Sequence, residues 1–119
     1  MEATITVYGI PNCNTVKKAR VWLEEQGLNY TFHDFKKAGI TREKLAQWSA
    51  VFGWEIVLNK KGTTWRKLDP AVQAGVKDEN SAIAVLLENT SAIKRPVVEV
   101  NGKPVLISFD AEQYAVNFC

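Results

Sequence analysis

Residues 3–26 read Ala3-Thr4-Ile5-Thr6-Val7-Tyr8-Gly9-Ile10-Pro11-Asn12-Cys13-Asn14-Thr15-Val16-Lys17-Lys18-Ala19-Arg20-Val21-Trp22-Leu23-Glu24-Glu25-Gln26. The first six alternate and are rich in β-branched side chains, which predicts a strand over 3–8. Gly9-Ile10-Pro11-Asn12 is a turn cluster. From Asn14 the period lengthens: Val16, Ala19 and Leu23 recur at i, i+3 and i+7, while Lys17, Lys18, Glu24 and Glu25 take the wet side. That spacing predicts a helix over 14–26. Arg20 and Glu24 form an i, i+4 pair worth about 0.2–0.5 kcal/mol. Gly27 is placed to stop the helix. Residues 29–35, Asn-Tyr-Thr-Phe-His-Asp-Phe, read as a second strand. Strand, turn, helix and strand make a β-α-β unit, whose strands run parallel with a right-handed crossover.

Working outward, Thr41 is a candidate cap for a helix carrying Leu45, Trp48 and Phe52 and ending at Gly53. Residues 59–64 are polar and turn-like. Asp69-Pro70 sets a capping residue before a proline at the first helical position. Asp78 caps a further helix with Ile83, Leu86 and Leu87 inward. Val97–Val100 and Lys103–Ile107 flank Asn101-Gly102, which predicts a type I′ hairpin. Pro104 sits near the start of its strand, where a missing N–H is best tolerated. Asp110 with Gln113 resembles a capping box that opens a last helix with Tyr114 and Phe118. No repeat, low-complexity tract or Gly/Ser linker divides the chain. The order implies an α/β protein: a mixed four-stranded sheet on the thioredoxin-like plan, with a helical insertion over about 38–93 in a single domain of 119 residues.

Composition narrows the function. The 46% hydrophobic and 24% charged content is that of a folded globule rather than a disordered chain. A net charge of +2 gives no electrostatic footprint for nucleic acid, so that partner is not expected. No apolar run approaches the ~20 residues of a membrane span. The N-terminal residues lack the charge and apolar core of a signal peptide, and two cysteines cannot build a disulfide framework. A cytoplasmic protein with free thiols is expected.

Cys13 is the centre of the chemistry. It follows the first strand and opens the first helix, where unpaired N–H groups and the positive end of the helix dipole favour a thiolate. Lys17, one turn on, adds a cation, and both effects lower a thiol pKa. A small apolar filler is the bland alternative, but Gly9, Pro11 and Asn12 describe a surface turn. In Cys13-Asn14-Thr15-Val16 the position of a second, resolving thiol is held by valine, so no internal disulfide can form across that spacing. Release must come from an external thiol or from Cys119. The last residue of a chain is ordinarily a solvated thiol.

Arg66 and Arg95 carry guanidinium forks suited to carboxylates or oxyanions, although each taken alone reads first as a solvated or structural charge. Arg95-Pro96 is a candidate cis peptide entering a strand. In a thioredoxin-like sheet such a proline faces the cysteine, so Arg95 is expected beside Cys13. The one histidine, His33, lies on a strand and reads as structural. One His and two distant Cys give no zinc spacing, and no phosphate-binding glycine loop occurs. The Lys17-Lys18, Lys60-Lys61 and Arg66-Lys67 clusters read as solvated faces, and Trp48 and Trp54 as packing.

The segments Tyr8–Arg20, Tyr30–Asp34, Leu58–Arg66 and Ile93–Pro96 resemble, in order, the arsenate reductase-like family. The resemblance is strongest to its small YffB-type branch of glutathione-dependent thiol reductases. It implies a thioredoxin-like fold with Cys13 as nucleophile, no bound cofactor, and glutathione as co-substrate. Its reductases hold an oxyanion with three arginines. Two fall on Arg66 and Arg95, but the third belongs within Leu106-Ile107-Ser108-Phe109, and Gly9 stands where those enzymes have a histidine. An incomplete cage leaves anionic charge unpaired at a cost of several kcal/mol by rough estimate. Arsenate reduction coupled to a glutaredoxin is therefore the second expectation, and an Spx-like regulatory protein the third, since Spx uses the Cys-x-x-Cys that Val16 interrupts. Glutathione carries two carboxylates, and Asn12, Lys17, Arg66, Arg95 and Pro96 are the residues expected to bind it. A glutathionylated or disulfide substrate is the expected partner.

Overall fold

Ile5–Gly9 form the first strand, β1, followed by α1 (Asn14–Glu25) and β2 (Thr31–Asp34). The computed structural model describes residues 3–118. Cys119 and the first two residues lie outside that range. Four short or medium helices follow as α2 (Phe35–Ala38), α3 (Arg42–Phe52), α4 (Trp54–Val57) and α5 (Thr63–Arg66). Next come α6 (Pro70–Ala74), α7 (Glu79–Glu88), a 3-10 turn at Thr90–Ala92, β3 (Val97–Val100), β4 (Lys103–Ile107) and α8 (Ala111–Phe118).

The strands form one mixed sheet in the order β2-β1-β3-β4. β1 and β2 are parallel, with Tyr8 opposite His33. β1 and β3 are antiparallel, with Tyr8 opposite Val97. This is the expected α/β arrangement. The chain divides into two compact units, one of the residues up to Ala38 together with those from Arg95 onward, the other of Gly39–Lys94. Among the described residues no helix is long and apolar enough to cross a membrane.

In the first unit, alternation on β1 sends Ile5 and Val7 to one face, where they meet Ala19 and Leu23 of α1, Val98, Leu106 and Tyr114. All seven are buried. The same alternation sends Tyr8 the other way. Its hydroxyl donates to Glu99 Oε1 at 3.1 Å, and Glu99 is only 2% exposed. Burial first, and then the Glu99 charge and this bond, push the phenol up to about 12. The His33 ring lies 4.7 Å from the Tyr8 ring and 6.3 Å from Phe35, a packed histidine.

Local chemistry sets the boundaries. α1 ends in a Schellman motif: Leu28 N–H donates to Leu23 O and Gly27 N–H to Glu24 O, both at 3.0 Å, with Gly27 at φ +71°. Asn101 (φ 53°) and Gly102 (φ 79°) make the type I′ turn that Asn-Gly predicts. The second strand is shorter than the expected 29–35. The Asp34 carboxylate accepts from Lys36 N–H at 2.8 Å and turns the chain into α2. The first strand is shifted, covering 5–9 instead of 3–8. Arg20 and Glu24 are joined through Tyr30, whose hydroxyl accepts from Arg20 Nε at 2.9 Å and donates to Glu24.

In the second unit Thr41 caps α3 through Lys44 N–H, and Asp69 caps α6 through Ala71 N–H. Asp78 and Ser81 close a reciprocal capping box on α7. The box expected at Asp110 does not close on Gln113; Asp110 instead accepts from Glu112 N–H at 3.0 Å. The C-terminal end of this unit is pinned to its middle by Lys94 N–H to Val57 O (2.7 Å) and Asn59 N–H to Ala92 O (2.8 Å). The polar stretch 59–64 is not all turn, since α5 begins at Thr63.

A close seam in the first unit lies where β1 meets α1. A Cβ on Gly9 would stand 2.8 Å from Val16 Cγ2, and Val16 has no exposed surface. Gly9→Ala is expected to destabilise the protein by about 1–3 kcal/mol through overpacking. Urea unfolding with an unchanged slope measures it.

Candidate functional site

Cys13 is the N-cap residue of α1, with extended backbone (φ −138°, ψ 122°) and partial exposure. Its carbonyl accepts from Lys17 N–H at 3.0 Å, the first bond of the helix. Burial of the sulfur opposes ionisation, but other groups outweigh it and lower the thiol pKa. These are the Val16 N–H, the Arg95 guanidinium by hydrogen bond and by charge, and the Thr15 N–H. Cys13 makes no conventional side-chain cap. The Thr15 and Val16 amides instead favour the anionic form of its sulfur.

Topology delivers Arg95. Because Tyr8 faces Val97 in the antiparallel β1–β3 pair, the residues just before 97 lie opposite those just after 8. The Arg95–Pro96 bond is cis, as expected, and Pro96 is buried. Arg95 and Cys13 are thus brought together. Asn12 and Pro11 are exposed on the bend before Cys13. Arg66 belongs to the second unit, where its Nε donates to Lys61 O at 3.1 Å and its Nη2 to the same oxygen. Lys17 does not act as expected. The cation on the sulfur is Arg95, and Lys17 lies exposed on the flank of α1 with Asn14, Lys18 and Val21.

Ser108 was not singled out from the sequence. It has φ 66°, a conformation a non-glycine residue adopts only under constraint. Both its backbone groups are tied. Its N–H donates to Pro96 O at 2.8 Å, and its carbonyl accepts from Tyr114 OH at 2.7 Å. The end of β4 thereby holds the Arg95-Pro96 corner against α8. Nothing in the residue type signals this, because serine is an ordinary turn residue.

A family model described as the ArsC family matches residues 8–117. The chain belongs to the ArsC family. A solved structure of the YffB (PA3664) protein is similar over 98% of this chain and 100% of its own, at 48% identity and a TM-score of 0.92. An uncharacterized protein of Haemophilus influenzae is 43% identical over 114 residues, 96% of this chain and 98% of its own. The global transcriptional regulator Spx of Streptococcus agalactiae serotype V is 24% identical over 111 residues, 92% of this chain and 79% of its own. The ArsC-family match takes in the end of β1, all of α1, and the Arg95-Pro96 corner.

Since Arg95 supports the thiolate, Arg95→Gln is expected to raise the Cys13 pKa. The pH dependence of alkylation by iodoacetamide should move its midpoint upward, with a slower rate at neutral pH. The folded-state pKa is the lower one, so the thiolate's contribution to stability is fully present above the unfolded thiol's pKa. It is lost as pH falls through the native pKa. The stability difference between wild type and Cys13→Ser should follow that sign.

Proposed function

We propose that the protein is a glutathione-dependent thiol reductase working through Cys13 alone. The observation that carries this reading is the lowered Cys13 pKa, produced by helix amides and Arg95 at a partly exposed sulfur. The thiolate attacks the glutathione sulfur of a mixed disulfide. The S–S bond breaks, its electron pair leaves on the substrate sulfur, and that sulfur takes a proton. Glutathione, as thiolate, then attacks the Cys13–glutathione disulfide. Cys13 returns as thiolate and glutathione disulfide departs. The substrate is reduced and glutathione is oxidised, with no resolving cysteine and no bound cofactor. A glutaredoxin is an alternative second reductant.

Val16 at the resolving position favours this monothiol cycle over a dithiol switch. Arsenate reduction is disfavoured because Leu106–Phe109 offer no third arginine. Arg95 at the sulfur, with Pro96 next to it in the chain, is suited to a glutathione carboxylate and backbone.

The test is mass spectrometry after exposure to oxidised glutathione. One glutathione is expected on Cys13, removed by reduced glutathione and absent in Cys13→Ser. Modification confined to Cys119 would overturn the cycle. Arg95→Ala should bind glutathione more weakly in a calorimetric titration, and equal affinity would remove Arg95 from the site.

A further inference from the structure

One flank of α1 is neither core nor ordinary wet surface. Asn14, Lys17, Lys18, Val21, Trp22 and Glu25, spaced at i, i+3, i+4, i+7, i+8 and i+11, line an open groove of about 530 Å³ with Phe109. Val21 is 50% exposed, although a β-branched residue suits neither solvent nor a helix. Trp22 and Phe109 back the groove, both packed against Tyr114 with ring centroids at 5.6 and 4.8 Å. They form a rigid apolar floor. The groove begins at the residue after Cys13, its near rim carries two lysines, and its far end carries Glu25.

We propose that this groove seats the polypeptide of a protein mixed disulfide, so that Cys13 acts on glutathionylated proteins rather than on small disulfides. The inference rests on the thiol-reductase reading and names its substrate class. Length argues for it. From Asn14 to Glu25 the helix rises about 16 Å, whereas glutathione, a tripeptide, extends about 10 Å. An extended segment of about five residues spans the groove. Chemistry argues the same way, because glutathione has no apolar side chain to cover Val21, Trp22 and Phe109. The occupant that fits has an acidic residue near its cysteine, against Lys17 and Lys18. An aromatic or branched residue about three or four positions from the cysteine rests on the apolar floor, with a basic residue beyond, toward Glu25. With that segment seated, Cys13 attacks the glutathione sulfur, and the protein's own sulfur leaves with the electron pair and is protonated.

The experiment compares three glutathionylated substrates with glutathione as reductant. The first is a peptide with a central cysteine, Asp two residues away and Phe four residues away on both sides. The second is the same peptide with Ser at those positions, and the third is the glutathione mixed disulfide of cysteine. Wild type is expected to favour the first peptide over the other two by about tenfold in kcat/KM, roughly the contribution of one buried aromatic with one charge pair. The variant carrying Lys18→Glu and Val21→Asp changes two exposed positions. It should lose that preference to within about twofold and keep its rate on the cysteine disulfide. Equal wild-type rates on the two peptides, or a preference unchanged in the variant, would overturn the docking groove and leave the reductase standing. Turnover of none of the three would overturn the reductase itself, and the groove with it.

Discussion

The candidate site depends on favouring a negative charge on one half-buried sulfur. Burial works against that charge, so the fold has to supply compensation from two directions. The helix supplies the first, because a chain entering α1 at Cys13 leaves the Thr15 and Val16 amides without helical acceptors. The sheet supplies the second, because β3 runs antiparallel to β1 and returns Arg95 to the point where β1 ends. Neither source is local to the other in sequence. The site exists only when strand, helix and hairpin are assembled.

That division explains which parts could be read from the residues alone. Elements governed by local signals were legible: the Asn101-Gly102 hairpin, the helix from Asn14, the caps at Thr41, Asp69 and Asp78. So was the pairing of Arg95 with Cys13, since it follows from strand order and from the proline. Elements governed by competition between weak signals were not. The end of β2 depended on whether Asp34 would bond its own following backbone, which hydrophobic alternation does not report. Lys17 looked like a partner for Cys13 because i and i+4 share a helical face. At an N-cap, however, the cysteine backbone is extended, and the lysine lies along the flank with Asn14 and Lys18. Ser108 was invisible because its importance lies in its backbone, held by Pro96 and Tyr114, and not in its side chain.

The proposed groove and Cys13 share an element, α1. α1 has three faces with different duties. Val16, Ala19 and Leu23 build the core, its first amides serve the sulfur, and the flank from Asn14 to Glu25 remains open. A helix used this way cannot shift to suit a substrate without disturbing the thiolate. A preformed groove with a rigid aromatic floor is the arrangement compatible with that constraint.

The two departures from the family's arsenate reductases and regulators lie side by side in the fold. Position 9 lacks the reductase histidine, and position 16 lacks the second cysteine of the Spx switch. These positions touch, since any Cβ at 9 would come within 2.8 Å of Val16 Cγ2. A side chain at 9 would therefore be overpacked against valine at 16. With Val16 in place the seam is closed by packing. With valine at position 16, the proposed cycle is completed by glutathione and not by a thiol one helical turn from Cys13.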